Sequence, residues 1–156
     1  MMTQEKINYY MTRAESLESN SYDPDSKTGC CIVGIKGGDD NYHTLSVGWN
    51  NMPLYYNDSF PWSKGKSIKD PESKYPYIIH AEENALLNCN NNLHDYDELY
   101  AFVTYEPCAS CTRLLATAGI EKIYYRKPNT RITATDRIVI DKICQVLSIE
   151  IIKVEQ

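Results

Sequence analysis

The chain has 156 residues, a length that favours one domain and suffices to bury a sizeable core. Its composition is that of an ordinary globular protein, 42% hydrophobic and 24% charged. The formal net charge of -5 argues against a large nucleic-acid interface, which needs concentrated Lys and Arg, but leaves room for a small phosphorylated ligand. No apolar run approaches the roughly 18–20 residues of a membrane span. The polar N-terminal stretch lacks a signal-peptide core, so a cytoplasmic chain is expected.

Apolar residues Ile7, Tyr10, Met11, Ala14 and Leu17 recur at helical spacing and predict a first helix over residues 3–19. A turn region containing Asp23-Pro24 follows, and residues 30–35 read as a buried strand. The Gly37-Gly38 segment predicts a hairpin into a second, antiparallel strand over 43–49. Residues 50–77, with Pro53, Pro61, Pro71 and Pro76, form a long irregular stretch of the kind that often carries function. A helix is expected over 80–89, a strand over 99–104, and a helix over 109–118 ending at Gly119. A strand over 120–125, an amphipathic helix over 133–147 and a strand over 149–154 complete the chain. A hairpin followed by alternating helices and strands predicts an α/β fold, a three-layer α/β/α sandwich on a mixed five-stranded sheet.

Two short segments carry the chemistry: His80-Ala81-Glu82 and Pro107-Cys108-Ala109-Ser110-Cys111. A catalytic zinc site takes three ligands from protein and leaves a fourth position to water. Cys108 and Cys111 lie three apart at a helix start, whose partial positive charge favours thiolates, and His80 opens another helix. These three are the expected ligands of one Zn2+ ion. Glu82, offset from His80, suits a general acid/base better than a fourth ligand. Cys89 would close the site as a structural one, but it lies about two and a half helical turns beyond His80. Cys30, Cys31 and Cys144 fit core positions, and the cysteines as a set read as thiols and not as disulfides.

The spacing H-x-E…P-C-x-x-C is a signature of zinc nucleobase deaminases. With the stretches at residues 23–29, 48–53 (Gly-Trp-Asn-Asn-Met-Pro) and 74–85 (Lys-Tyr-Pro-Tyr-Ile-Ile-His-Ala-Glu-Glu-Asn-Ala), the chain resembles the deoxycytidylate (dCMP) deaminase family. The resemblance runs from about residue 22 to the C-terminus. It implies the cytidine-deaminase-like fold, hydrolysis of dCMP to dUMP and ammonia, and a homo-oligomer, commonly a hexamer. It places His80, Cys108 and Cys111 on the metal, Glu82 on the catalytic acid, Asn50 on a nucleotide contact, and the Ala81 backbone amide opposite the pyrimidine. Asn84, one turn after His80, shares its helix face and is a candidate nucleotide contact. Lys27, inside the matching 23–29 segment, is the candidate phosphate contact; Ser26, Thr28, Lys64 and Lys66 are further donors, and aromatics of the long loop are candidate covers for the base.

The chain also departs from the family pattern. Asn51 stands where the family has Gly, and Leu54-Tyr55-Tyr56 replaces small residues in a loop associated with regulation by dCTP and dTTP. A weak or absent response to these effectors is therefore expected. Glu106 before Pro107 is a feature of tRNA adenosine and guanine deaminases, so another nucleobase or nucleoside deaminase stays open on sequence grounds, as does a non-catalytic zinc domain.

Overall fold

The computed structural model describes residues 2–156. Helix α1 (Gln4–Ser16) is capped by the Thr3 hydroxyl, which accepts from the Lys6 amide, and runs into a 3-10 turn at Leu17–Asn20. Strands β1 (Gly29–Ile35) and β2 (His43–Trp49) form the expected antiparallel hairpin. There follow α2 (Ala81–Leu87), β3 (Glu98–Tyr105), α3 (Ala109–Thr117), β4 (Lys122–Lys127), α4 (Ala134–Leu147) and β5 (Glu150–Lys153). The sheet order is β2-β1-β3-β4-β5, antiparallel across β1 and parallel from β3 to β5. The predicted mixed five-stranded sheet is therefore the one observed. Some element ends differ by a few residues: α1 stops at Ser16 and α2 at Leu87. Helix α4 ends at Leu147 as expected, where Ser148 turns left-handed at φ 55°.

Strand periodicity explains the layers. In β1, Cys31, Val33 and Ile35 face α1, where they join Tyr10, Met11, Ala14, Phe102 and Tyr124. Cys30 and Ile32 face the other way, toward Ala81 and Ala85 of α2 and Leu115 of α3. Strand β3 repeats the pattern with Tyr100 and Phe102 on one side and Leu99, Ala101 and Val103 on the other. Both central strands are thus buried on two faces, and helices cover both sides of the sheet. Among the described residues, no helix is long and apolar enough to cross a membrane.

Helix α2 sits unusually close to β2. A Cβ on Gly48 would lie 2.3 Å from the Ala85 amide nitrogen and 2.5 Å from the Ala81 carbonyl oxygen. Only a residue without a side chain permits that approach. Side-chain amides lock it: Asn84 Nδ2 donates to the Trp49 carbonyl at 2.8 Å, and Asn88 Nδ2 donates to the Val47 carbonyl at 3.2 Å. A two-way backbone bridge between Asn51 and Ile79 (3.0 and 2.8 Å) then fixes the chain entering α2.

Gly48→Ala is expected to push α2 off the sheet at a cost of about 1–3 kcal/mol. Chemical denaturation checks the loss, and metal content measured alongside reports the displacement of His80.

Candidate metal centre and its cavity

The N-termini of α2 and α3 meet on one face of the sheet. His80 is the N-cap of α2, and its amide donates to the Glu83 carboxylate at 3.0 Å, half of a capping box. Cys108 is the N-cap of α3, and its sulfur accepts from the Cys111 amide at 3.4 Å. This capping arrangement turns both sulfurs toward the histidine. His80 Nδ1 lies 3.3 Å from Cys111 Sγ and 3.7 Å from Cys108 Sγ, and all three ligand atoms fall within 4.8 Å of one another. Tetrahedral zinc with ordinary Zn–S and Zn–N lengths places such atoms roughly 3.5 Å apart, so the cluster fits a zinc ion without rearrangement. Cys89 is elsewhere, with its thiol toward the Leu45 and Asn91 carbonyls.

The protonation pattern suits a metal. A hydrogen bond with Cys111 brings the Cys108 thiol down to about 4, while the same contact drives Cys111 far up. The hydrogen bond to Cys108 raises His80 to about 9. Without metal, the cluster therefore holds one thiolate beside a shared set of protons, which a bound zinc ion displaces. Glu82 is buried, at 5% exposure, and burial raises its carboxyl to about 7 against the opposing pull of His80. A carboxyl poised there can both take and give a proton near neutral pH.

A cavity of about 490 Å³ opens above the cluster. Its floor is His80, Ala81, Glu82 and Cys108. One wall comes from the chain before β1 and after β2, with Asp23, Asp25, Ser26, Thr28 and Asn50; the other is the β4–α4 connection, residues 128–132. Asn50 is almost wholly committed to the first wall. Its Oδ1 accepts from the Thr28 amide at 2.9 Å, and its Nδ2 donates to the Ser26 carbonyl at 2.8 Å and to Asp23 at 3.3 Å.

Two of the expected contacts lie outside the cavity lining. The Lys27 ammonium turns to the Ser21 carbonyl at 2.5 Å, and Asn84 spends its amide on Trp49. Of the loop aromatics, Tyr75 lines the cavity. Others pack within the loop: Phe60 against Tyr77 at 5.3 Å between centroids, Trp62 through its Nε1 to the Asn57 carbonyl, and Tyr77 through its hydroxyl to the Pro71 carbonyl.

Several lining residues had no distinguishing mark in the sequence. Lys74 is 2% exposed, and its ammonium donates to both Asp23 oxygens (2.7 and 2.9 Å) and to Asp25 (3.2 Å). A buried lysine persists only when paired in this way. Glu106 accepts from Arg137 at 2.6 Å and from the Asn129 amide at 3.4 Å, so it ties α4 and the 128–132 connection to the strand leading into Cys108. Lys74 lies in the Lys-Tyr-Pro-Tyr run, where nothing local distinguishes it from a surface lysine.

A mixed α/β/α sandwich with a zinc-fitting His-Cys-Cys cluster at paired helix N-termini, and a buried carboxyl beside it, is the framework of the cytidine-deaminase-like class. The model of the cytidine and deoxycytidylate deaminase zinc-binding region matches residues 4–127, and the chain belongs to that family. It is similar to a probable deoxycytidylate deaminase of Drosophila melanogaster, 35% identical over 122 residues, covering 75% of this chain and 57% of the relative. The deoxycytidylate deaminase of Homo sapiens is 33% identical over 118 residues, covering 75% and 62%. The aligned region thus spans about six-tenths of the length of these curated relatives. The structure of dCMP deaminase from the cyanophage S-TIM5 in complex with dCMP and dUMP superposes with a TM-score of 0.69 at 27% identity, covering 99% of this chain and all of that one.

Cys108→Ser is expected to abolish stable zinc retention. Metal analysis after dialysis should find about one zinc per wild-type chain and a clearly substoichiometric amount in the variant.

Proposed function

We propose that residues 1–156 form one zinc-dependent deaminase domain that hydrolyses dCMP to dUMP and ammonia. The observation that carries this reading is the buried Glu82 carboxyl beside a three-ligand His80-Cys108-Cys111 cluster on the floor of a cavity large enough for a nucleotide. A structural zinc site has four protein ligands and no use for such a carboxyl. The likeness to dCMP deaminases, including one whose structure was solved with dCMP and dUMP, supports the choice of substrate.

His80, Cys108 and Cys111 would hold the zinc ion, which when bound would supply a Lewis acid that brings the pKa of water toward neutrality. The chain's own part is proton transfer and orientation. Glu82 takes a proton from the attacking water and passes it to the ring nitrogen next to the amino-bearing carbon. The same carboxyl then takes the second proton of that water from the hydroxyl now on the carbon and delivers it to the amino group, so the C–N bond breaks as the C=O forms and ammonia leaves. Ala81, fully buried at the start of α2, offers its backbone to the base edge, and Asn50 holds the wall against which the sugar rests.

Glu106 does not favour an adenine or guanine substrate, since its carboxylate is taken up by Arg137 and Asn129. The exposed Leu54 and Tyr55, both left-handed at φ 50° and 63°, and the exposed Tyr56 support a weak or absent response to dCTP and dTTP. Exposed Ile138, Val139, Val146 and Leu147 along α4 support a homo-oligomer, and six unpaired cysteines suit a cytoplasmic location.

Purified protein incubated with dCMP, deoxycytidine, guanine and an adenosine-containing RNA stem should release ammonia chiefly from dCMP; turnover of another substrate alone overturns the assignment. Glu82→Gln should retain zinc and lose about 10²–10⁴-fold in kcat. In the same assay, dCTP and dTTP should leave the rate curve hyperbolic and unshifted, while light scattering should return the mass of an oligomer.

A further inference from the structure

We propose that Cys108 and Cys111, besides holding zinc, form a redox modification site: a hydroperoxide joins their two sulfurs as a disulfide and expels the metal. The inference rests on the zinc-deaminase reading above and concerns a second fate of the same two side chains.

Position singles out this pair among the six cysteines. A Cys-x-x-Cys at the start of a helix is the arrangement of dithiol redox motifs, and α3 begins with one. Its two sulfurs lie within 4.8 Å of each other and of a His80 ring nitrogen. The other four thiols are differently placed. Cys30 and Cys31 are consecutive on β1 and point to opposite faces of the sheet, with Cys31 Sγ 3.9 Å from the Thr44 hydroxyl. The Cys89 thiol turns to the Leu45 and Asn91 carbonyls, and Cys144 packs on the α2 and α3 side of the core.

Access differs within the pair. Cys108 is half-buried and lines the cavity, whereas Cys111 is fully buried and does not. A small peroxide in the cavity therefore meets Cys108 first. The Cys108 sulfur attacks one peroxide oxygen, the O–O bond breaks, and a sulfenic acid and hydroxide result. Cys111 then attacks that sulfenic sulfur and displaces a second hydroxide. Two electrons pass from the sulfur pair to the peroxide, and both hydroxides become water by taking up protons. Cys108 is the N-cap, extended at φ -70° and ψ 171°, so its side chain can turn toward Cys111 without unwinding α3.

Disulfide and metal exclude each other. Two thiolates on one tetrahedral zinc stand roughly 3.8 Å apart, while a disulfide brings the sulfurs to about 2.05 Å and leaves neither as an anionic ligand. Only His80 remains of the three ligands, and one imidazole does not retain the ion. The site is thus switched off by oxidation and restored by a reducing thiol together with zinc.

The experiment treats zinc-loaded protein with hydrogen peroxide. A chromophoric chelator should record the release of about one zinc per chain. Alkylation under denaturing conditions should show the loss of two of the six free thiols. Mass spectrometry should find the peptide spanning Cys108 and Cys111 lighter by two hydrogens, and dithiothreitol with added zinc should reverse all three changes. The double variant Cys89→Ser/Cys144→Ser should respond as wild type does, with circular dichroism confirming an unchanged fold. Three outcomes would each overturn the proposal: zinc retained at a peroxide dose that oxidises glutathione, zinc lost while Cys108 carries a sulfinic acid or a link to another cysteine, or a response abolished in the double variant. These readouts need no turnover. A protein that shows them but does not deaminate dCMP removes the proposed reaction and leaves the redox site, and a dCMP deaminase that keeps its zinc and its thiols removes the redox site alone.

Discussion

The missing side chain at Gly48 lets α2 lie directly on β2, and the metal cluster depends on that contact. Ala81 and Ala85 meet the strand where a Cβ would stand, so the first turn of α2 is held at one height above the sheet. His80 caps that turn and Glu82 lies within it. Helix α3 is placed independently, by β3 and the short link through Glu106 and Pro107. Two helix starts fixed by separate strands can bring one nitrogen and two sulfurs to tetrahedral spacing only if neither helix slides. The amides of Asn84 and Asn88 reinforce the seat on β2.

Around that seat the cavity divides into two electrostatic regimes. The floor holds groups whose protonation is displaced from the ordinary: a carboxyl raised by burial and a thiol lowered by its neighbours. The walls carry full charges in matched pairs, with Lys74 against two aspartates and Arg137 against Glu106. Proton chemistry needs the first condition, and the second fixes the walls around it. The connection between them runs through Glu106, whose backbone adjoins the metal-binding turn and whose carboxylate holds the far wall.

What was legible in the sequence follows from the range of each signal. Strands and helices were readable because periodicity is local, and the His80, Cys108 and Cys111 cluster because metal ligands obey narrow spacing rules. The strand ends and some helix stops depended on tertiary contacts; α2, for instance, stops at Leu87, short of the expected residue 89, where the Asn88 side-chain amide turns to the Val47 carbonyl of β2. The wall residues were harder still. Lys27 and Lys74 are the same side chain to a sequence reader, yet one turns to a backbone carbonyl off the cavity and the other is nearly sealed inside it. Burial of a lysine is decided by which carboxylates the fold delivers to it, and no local pattern encodes that. Asn84 shows the converse: helical spacing placed it on the His80 face, but the nearby Trp49 carbonyl claims its amide.

The pairing of Lys74 with Asp23 spans 51 positions in sequence. Closing so long a loop costs about 3–4 kcal/mol of chain entropy on the usual logarithmic scaling, more than a single ion pair returns if both partners must first be found and stripped of water. The hairpin and the Asn51–Ile79 bridge bring the two ends together beforehand, so the bond is made between segments already held as neighbours. The ligand-facing wall is in this sense a product of the finished topology. Its integrity reports on the whole chain, and the binding chamber has no existence as an autonomous local motif.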